Sequence, residues 1–174
     1  MAWFDLPMGM FNHDAGDRVR FCMQEELLSI GGDAWIDNAD GDRVYKVNGK
    51  AMRLTDTIAL EDVNGHELAW IKEPLMKVRD SMDVTIGTQK ATVKKKLVSI
   101  RDTFLMDVDG GAEYKAKGDI VGHEYEIELD GKEVAKVSKK WFKMRQTYGI
   151  EIEPDQNTIL LLCFAICIDS MNRG

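Results

Sequence analysis

With 174 residues, 44% of them hydrophobic, the chain carries enough apolar material for one packed domain, which excludes a disordered polymer. Its 30 acidic and 23 basic residues are spread along the chain and leave a formal charge of −7, which opposes general nucleic-acid affinity. Cys22, Cys163 and Cys167 form an odd set with two members inside an apolar run, so they read as reduced thiols packed as small hydrophobes in a cytosolic setting.

The first 19 residues are Met-rich and aromatic, then polar through Asn12-His13-Asp14, and read as an N-terminal arm before a domain spanning 20–174. They lack a basic leader and break their apolar run at Asp5 and Pro7, so a secretory signal is not expected. From Arg20 the texture changes to short alternating runs. Met82, Val84 and Ile86 alternate with Asp83 and Thr85; Tyr125, Ile127 and Leu129 alternate with Glu124, Glu126 and Glu128; Tyr148, Ile150 and Ile152 with Glu151 and Glu153. Period two predicts half-buried antiparallel strands.

Between these runs stand Asp40-Gly41, Asn64-Gly65, Gly87-Thr88, Asp109-Gly110 and Asp130-Gly131, all suited to tight hairpin turns. Their glycines, at 41, 65, 87, 110 and 131, are 24, 22, 23 and 21 residues apart, an internal repeat. Asn48-Gly49 falls off that period and reads as a bulge within one strand. Thr55-Asp56-Thr57, Arg79-Asp80-Ser81, Arg101-Asp102-Thr103 and Arg145-Gln146-Thr147 recur out of phase with the glycines and read as connections between hairpins.

Five hairpins, one run before them (Phe21 to Ser29) and one after (Tyr148 to Glu153) make twelve strands. Pairing the first with the last removes both sheet edges and predicts a mainly β fold, a closed twelve-stranded antiparallel β-barrel. Such a barrel is about 24 Å across its backbone, too wide for its own side chains to fill. Ile159 to Ile168 contains no polar residue, and a helix of about 10–12 Å diameter fits the space. The expected helix runs from Gln156 to Ser170 after capping candidates in 154–158. At about 15 Å, its apolar stretch is too short to cross a bilayer core of about 30 Å.

Several stretches together resemble the LURP-one-related family of the tubby C-terminal-like superfamily, which also holds the phospholipid scramblases. They are Met52-Arg53-Leu54-Thr55-Asp56-Thr57, Val78-Arg79-Asp80-Ser81-Met82, and Gly118-Asp119 leading into Tyr125-Glu126-Ile127. Val134-Ala135-Lys136-Val137-Ser138-Lys139-Lys140-Trp141-Phe142, running on to Thr147-Tyr148-Gly149, carries the most weight. The resemblance covers about Val19 to Met171. It implies a barrel around a buried helix and, from the tubby and scramblase relatives, lipid binding; it implies no reaction.

The candidate ligand site is basic and aromatic: Lys136, Lys139, Lys140, Lys143 and Arg145 around Trp141 and Phe142, suited to an anionic phospholipid headgroup or a protein partner. The competing reading is a solvated strand face with Trp141 in the core. Lys94, Lys95 and Lys96 are consecutive, so no more than two share a face. Asp107-Val108-Asp109-Gly110-Gly111 begins like a calcium loop but has Ala112 and Gly118 at the positions requiring Gly and Glu, and Asp37 to Asp42 reads as a turn. His13, His66 and His123 show no metal-ligand spacing, and no cofactor fingerprint or nucleophile motif is present, so a non-catalytic, peripheral or cytoplasmic binding domain is expected. Two alternatives remain: a scramblase-like protein whose tail inserts into lipid, and a small-molecule-binding barrel with a cavity beside the helix.

Overall fold

Each of the five glycine turns joins a pair of adjacent strands. A computed structural model of the chain describes residues 17–24, 33–49, 57–73, 81–96, 102–141 and 147–172. Its strands are β1 (Val19–Gln24), β2 (Asp33–Asn38), β3 (Arg43–Asn48), β4 (Thr57–Asp62), β5 (Glu67–Lys72) and β6 (Ser81–Ile86). They continue with β7 (Gln89–Lys96), β8 (Thr103–Val108), β9 (Glu113–Asp119), β10 (Glu124–Leu129), β11 (Lys132–Ser138) and β12 (Thr147–Ile152), followed by the helix α1 (Thr158–Asn172). Neighbours in sequence are neighbours in the sheet, and β1 pairs β12 over six residues from Val19↔Ile152 to Gln24↔Thr147, closing the barrel.

Two of the hairpins share one device. Asn38 Oδ1 accepts from the backbone N–H groups of Asp40 and Asp42 at 3.0 and 2.9 Å. Asp62 Oδ1 accepts from Asn64 and His66 at 2.8 and 2.9 Å. These short polar side chains organise the turn backbone, so the Asp37 to Asp42 stretch is spent on folding. The recurrent triplets end where strands begin: Thr57, Ser81, Thr103 and Thr147 are the first residues of β4, β6, β8 and β12. Asn48 ends β3 and Gly49 follows it outside any strand, whereas Ala51 and Met52, the continuation of the expected bulged strand, lie outside the described residues. The expected arm also gives ground at its end, because Arg18 joins Glu133 and Glu153 at 2.6 Å each and Val19 already pairs in β1.

Inward positions fill the lumen with α1, whose residues Leu160 to Asp169 are all buried. Asn157 caps it: its side-chain oxygen accepts from the Leu160 N–H at 3.1 Å, so the helix begins two residues later than expected and runs two further. The helix packs against β5, β6 and β7. Those strands turn Ala69, Val84, Ala91 and Val93 inward, whereas Phe21, Met23, Tyr125 and Tyr148 enter from β1, β10 and β12. Ala69 and Ala91 give the helix room on that wall beside the larger Ile71 and Met82, and aromatic rings fill part of the space elsewhere.

Enclosure of α1 by the strands is the opposite of the tail-insertion alternative. Among the described residues, no helix is long and apolar enough to cross a membrane. Leu161, fully buried, reads out the packing. Leu161→Ala is expected to lower unfolding free energy in urea by about 2–5 kcal/mol. Leu161→Asp is expected to abolish the cooperative thermal transition, measured by circular dichroism.

Burial of the thiols gives a pH signature. Burial pushes Cys163 up to about 12, and burial together with the Asp37 charge pushes Cys22 up to about 11, from an ordinary 9.0. The unfolded chain therefore loses these protons first, and stability should fall as pH rises from about 9 toward 11. Urea midpoints at pH 7.5 and pH 10 test this.

Candidate functional site

Outward positions carry the charge, and register decides which charges meet. Across one row of the barrel wall, Arg20 on β1 faces Glu151 on β12, Glu151 faces Lys136 on β11, Lys136 faces Glu126 on β10, and Glu126 faces Lys117 on β9. This is a belt of alternating sign. Arg20 donates to Glu151 through Nε at 2.9 Å. Its guanidinium also lies 4.8 Å from the centre of the Trp141 ring, so Trp141 stands half-buried on the outside and not in the core.

The segment after β11 is anchored from β10. Glu124 Oε1 accepts from the Ser138 hydroxyl and the Lys139 N–H, both at 3.0 Å, while the Lys140 N–H donates to Ser138 Oγ at 3.1 Å. Lys139 is half-buried and Lys140 exposed; Lys143 and Arg145 lie outside the described residues. An open groove of about 590 Å³ runs beside this segment, lined by Thr103, Lys115, Lys117, Glu124, Glu126 and Lys136 among others. Neither Lys139 nor Lys140 lines it. Thus Lys136 is brought together with Lys115 and Lys117, which sequence reasoning missed. The signal was there in Lys115 and Lys117 flanking buried Ala116, but only strand register places them beside Lys136.

The groove lysines differ in commitment. Lys117 bonds Glu128 at 2.6 Å, and that hydrogen bond raises its pKa. Lys115 and Lys136 make no ion pair among the described residues. The consecutive lysines of β7 divide as expected: Lys94 reaches Asp107 at 3.5 Å, while Lys95 reaches Asp102 at 3.5 Å with its ammonium 5.8 Å from the Phe104 ring centre.

A second polar cluster lies inside. Asp169, near the end of α1 and 5% exposed, accepts from the Tyr148 hydroxyl on one oxygen; its other oxygen is 3.0 Å from His123 Nε2. The His123 and Tyr148 rings stack with centroids 4.2 Å apart. His123 reaches this position from the β9–β10 turn with φ of +52°, just after Gly118 at φ +135°, where a Cβ would come within 2.7 Å of the Glu124 carbonyl oxygen. Glycine is required there. The Tyr125 hydroxyl is buried and has no hydrogen-bond partner among the described residues, and burial, with the Asp169 charge, holds its pKa well above the ordinary value. In a largely apolar lumen these polar partners tie the helix near its end, which helps to set its depth and rotation. Among the described residues, no group of three His, Cys, Asp or Glu side chains could hold a metal ion.

Comparison with known proteins places this geometry in a family. The family model for LURP-one-related proteins matches residues 19–169. The chain belongs to the LURP-one-related family. The Bacillus subtilis (strain 168) protein YxjI, described as uncharacterised, is 25% identical over 153 residues, covering 87% of this chain and 92% of its own length. The X-ray structure of an Arabidopsis thaliana protein superposes with a TM-score of 0.68 at 15% identity, over 90% of this chain and 92% of the plant chain. That likeness establishes the LURP-one-related barrel as a shared fold.

Tyr148→Phe removes one of the two partners of Asp169 while keeping the ring stack. It is expected to destabilise the protein by about 1.5–3 kcal/mol in urea unfolding. Asp169→Ala should cost more, because it removes both of these hydrogen bonds at once.

Proposed function

We propose that this LURP-one-related protein is a non-catalytic binding domain that uses its outer wall between β9 and β11 to take the phosphorylated headgroup of an acidic phospholipid. The observation that carries the reading is the groove in which Lys115 and Lys136 stand uncommitted beside the Thr103 hydroxyl. The interior offers no comparable place, since α1 occupies the lumen. Cations next to a half-buried tryptophan suit contact with a membrane surface, where an ammonium meets phosphate and an indole sits at headgroup depth.

Charge limits how this works. On a chain of net charge −7, an anionic membrane is not attracted as a whole, so recognition is local. Glu126, between Lys117 and Lys136 in the belt, further favours a compact phosphate over a diffuse polyanion. Lys139 and Lys140, on the anchored segment, add to the same surface, and Lys143 and Arg145 are proposed to follow them. A cytoplasmic domain that visits a membrane peripherally meets these requirements.

Flotation with liposomes tests this. Vesicles containing phosphatidylserine or a phosphoinositide should carry the protein upward, and pure phosphatidylcholine should not. Lys115→Glu with Lys136→Glu should reduce binding at least tenfold, roughly the loss of one charge-assisted contact. Lys139→Glu with Lys140→Glu should weaken it less. Absence of flotation, or flotation indifferent to all four reversals, would sink the lipid reading.

A further inference from the structure

The two mouths of the barrel are finished differently. Where α1 stops, His123 and Tyr148 tie Asp169 to the wall, and Asp169 is only 5% exposed. At the opposite mouth, where the glycine turns lie and α1 begins, the last inward side chains are incompletely covered. Val19 continues the inward phase of Phe21 and Met23 on β1, yet it is 43% exposed. Ile86 at the end of β6, Leu129 at the end of β10 and Ile159 in the first turn of α1 pack on the core and stay partly open. Val63, at the tip of the β4–β5 turn, is 54% exposed on the same rim. Together these side chains make an apolar floor, ringed by the exposed Asp40, Asn64, Asp109 and Asp130 of the turns.

The described chain enters the fold at this same mouth. Arg18, paired with Glu133 and Glu153 at 2.6 Å each, fixes the point of entry, and Asp17, with φ of +52°, breaks the extended line of β1. Residues 1–16 lie outside the described residues, and their sequence brings Trp3, Phe4, Leu6, Met8, Met10 and Phe11 together with one charge, Asp5. So much aromatic and thioether surface beside an uncovered apolar floor is unfavourable in water on both sides. Methionine, unbranched and adaptable, suits a floor made of side chains from several strands. Reach is sufficient: at about 3.3 Å per residue, the chain covers about 20 Å from Asp17 back to Phe11 and about 46 Å back to Trp3, against a barrel about 24 Å across.

We propose that residues 3–11 fold back over this mouth and cap it, with Trp3, Phe4 and Phe11 seated on Val19, Leu129 and Ile159. The ring of aspartates makes an anionic membrane the poorer occupant, whereas a stretch with a single charge meets no such barrier. The cap lies at the end of the barrel and the lipid face on its wall, so neither reading depends on the other.

The test uses the full chain carrying Trp3→Asp with Phe4→Asp, and circular dichroism checks that the barrel has folded. Loss of the cap should raise fluorescence of the hydrophobic dye ANS and lower the melting temperature by about 2–4 °C. A synthetic peptide of residues 1–16, added to this variant, should bring the ANS signal down again. Val19→Ser, on the floor, should raise ANS fluorescence in the same way, and in its background the arm substitutions should add little, because partners in contact are not additive. Val63→Asp, on a turn, replaces it if Val19→Ser loses its cooperative melt. The proposal is overturned if the arm substitutions change neither ANS fluorescence nor melting, or if their effects add in full to those of the floor variant, which puts the arm elsewhere. It is also overturned if they convert a dimer to a monomer in light scattering, since the arm would then cover a second copy. Abolition of liposome flotation with ANS fluorescence and melting unchanged would overturn it too, by making the arm a membrane contact.

Discussion

A ring of twelve strands encloses more space than its own side chains can occupy, and filling that space governs the rest of the molecule. The helix is apolar on every side because every side meets a wall. It lies against β5, β6 and β7, where Ala69 and Ala91 are buried beside Ile71 and Met82, and Tyr125, Tyr148 and Phe21 fill the core from other strands. Asp169 then supplies what apolar packing lacks, a directional tie through Tyr148 and His123 that specifies one orientation among several of similar burial.

Because the lumen is spent on the helix, chemistry is displaced to the wall. There the same pleat that buries alternate residues sends the intervening ones outward in rows, and strand register turns one-dimensional alternation into two-dimensional charge pattern. The belt from Arg20 to Lys117 alternates in sign, so the lysines that make no ion pair among the described residues carry the interest. Lys115 and Lys136 are such groups.

Much of the architecture was legible in the chain. The glycines mark the hairpin turns, and in two of these Asn38 and Asp62, three residues before the glycine, bond the turn backbone directly. The helix was legible from its apolar run, with its start displaced because the capping oxygen belongs to Asn157 rather than to an earlier residue. Trp141 was open to two readings, core or surface, since hydrophobicity alone does not reveal a guanidinium arriving from β1. The grouping of Lys136 with Lys115 and Lys117 needed the register of three strands. The tie between His123 and Asp169, 46 residues apart, exists only once the barrel has closed around the helix.

Closure of β1 on β12 has a consequence in time. The strand that completes the ring and the helix that fills it are the last parts of the described chain to be synthesised, whereas the inward faces of β1 to β11 are made first. Those faces stay without their core partner until the helix emerges, and the closing ladder joins residues more than a hundred positions apart. Contacts of such long range make folding slow and leave sticky strands exposed meanwhile. The barrel is thus expected to close late, once the helix has been made, and its exposure to aggregation and chaperones is concentrated in the interval before that.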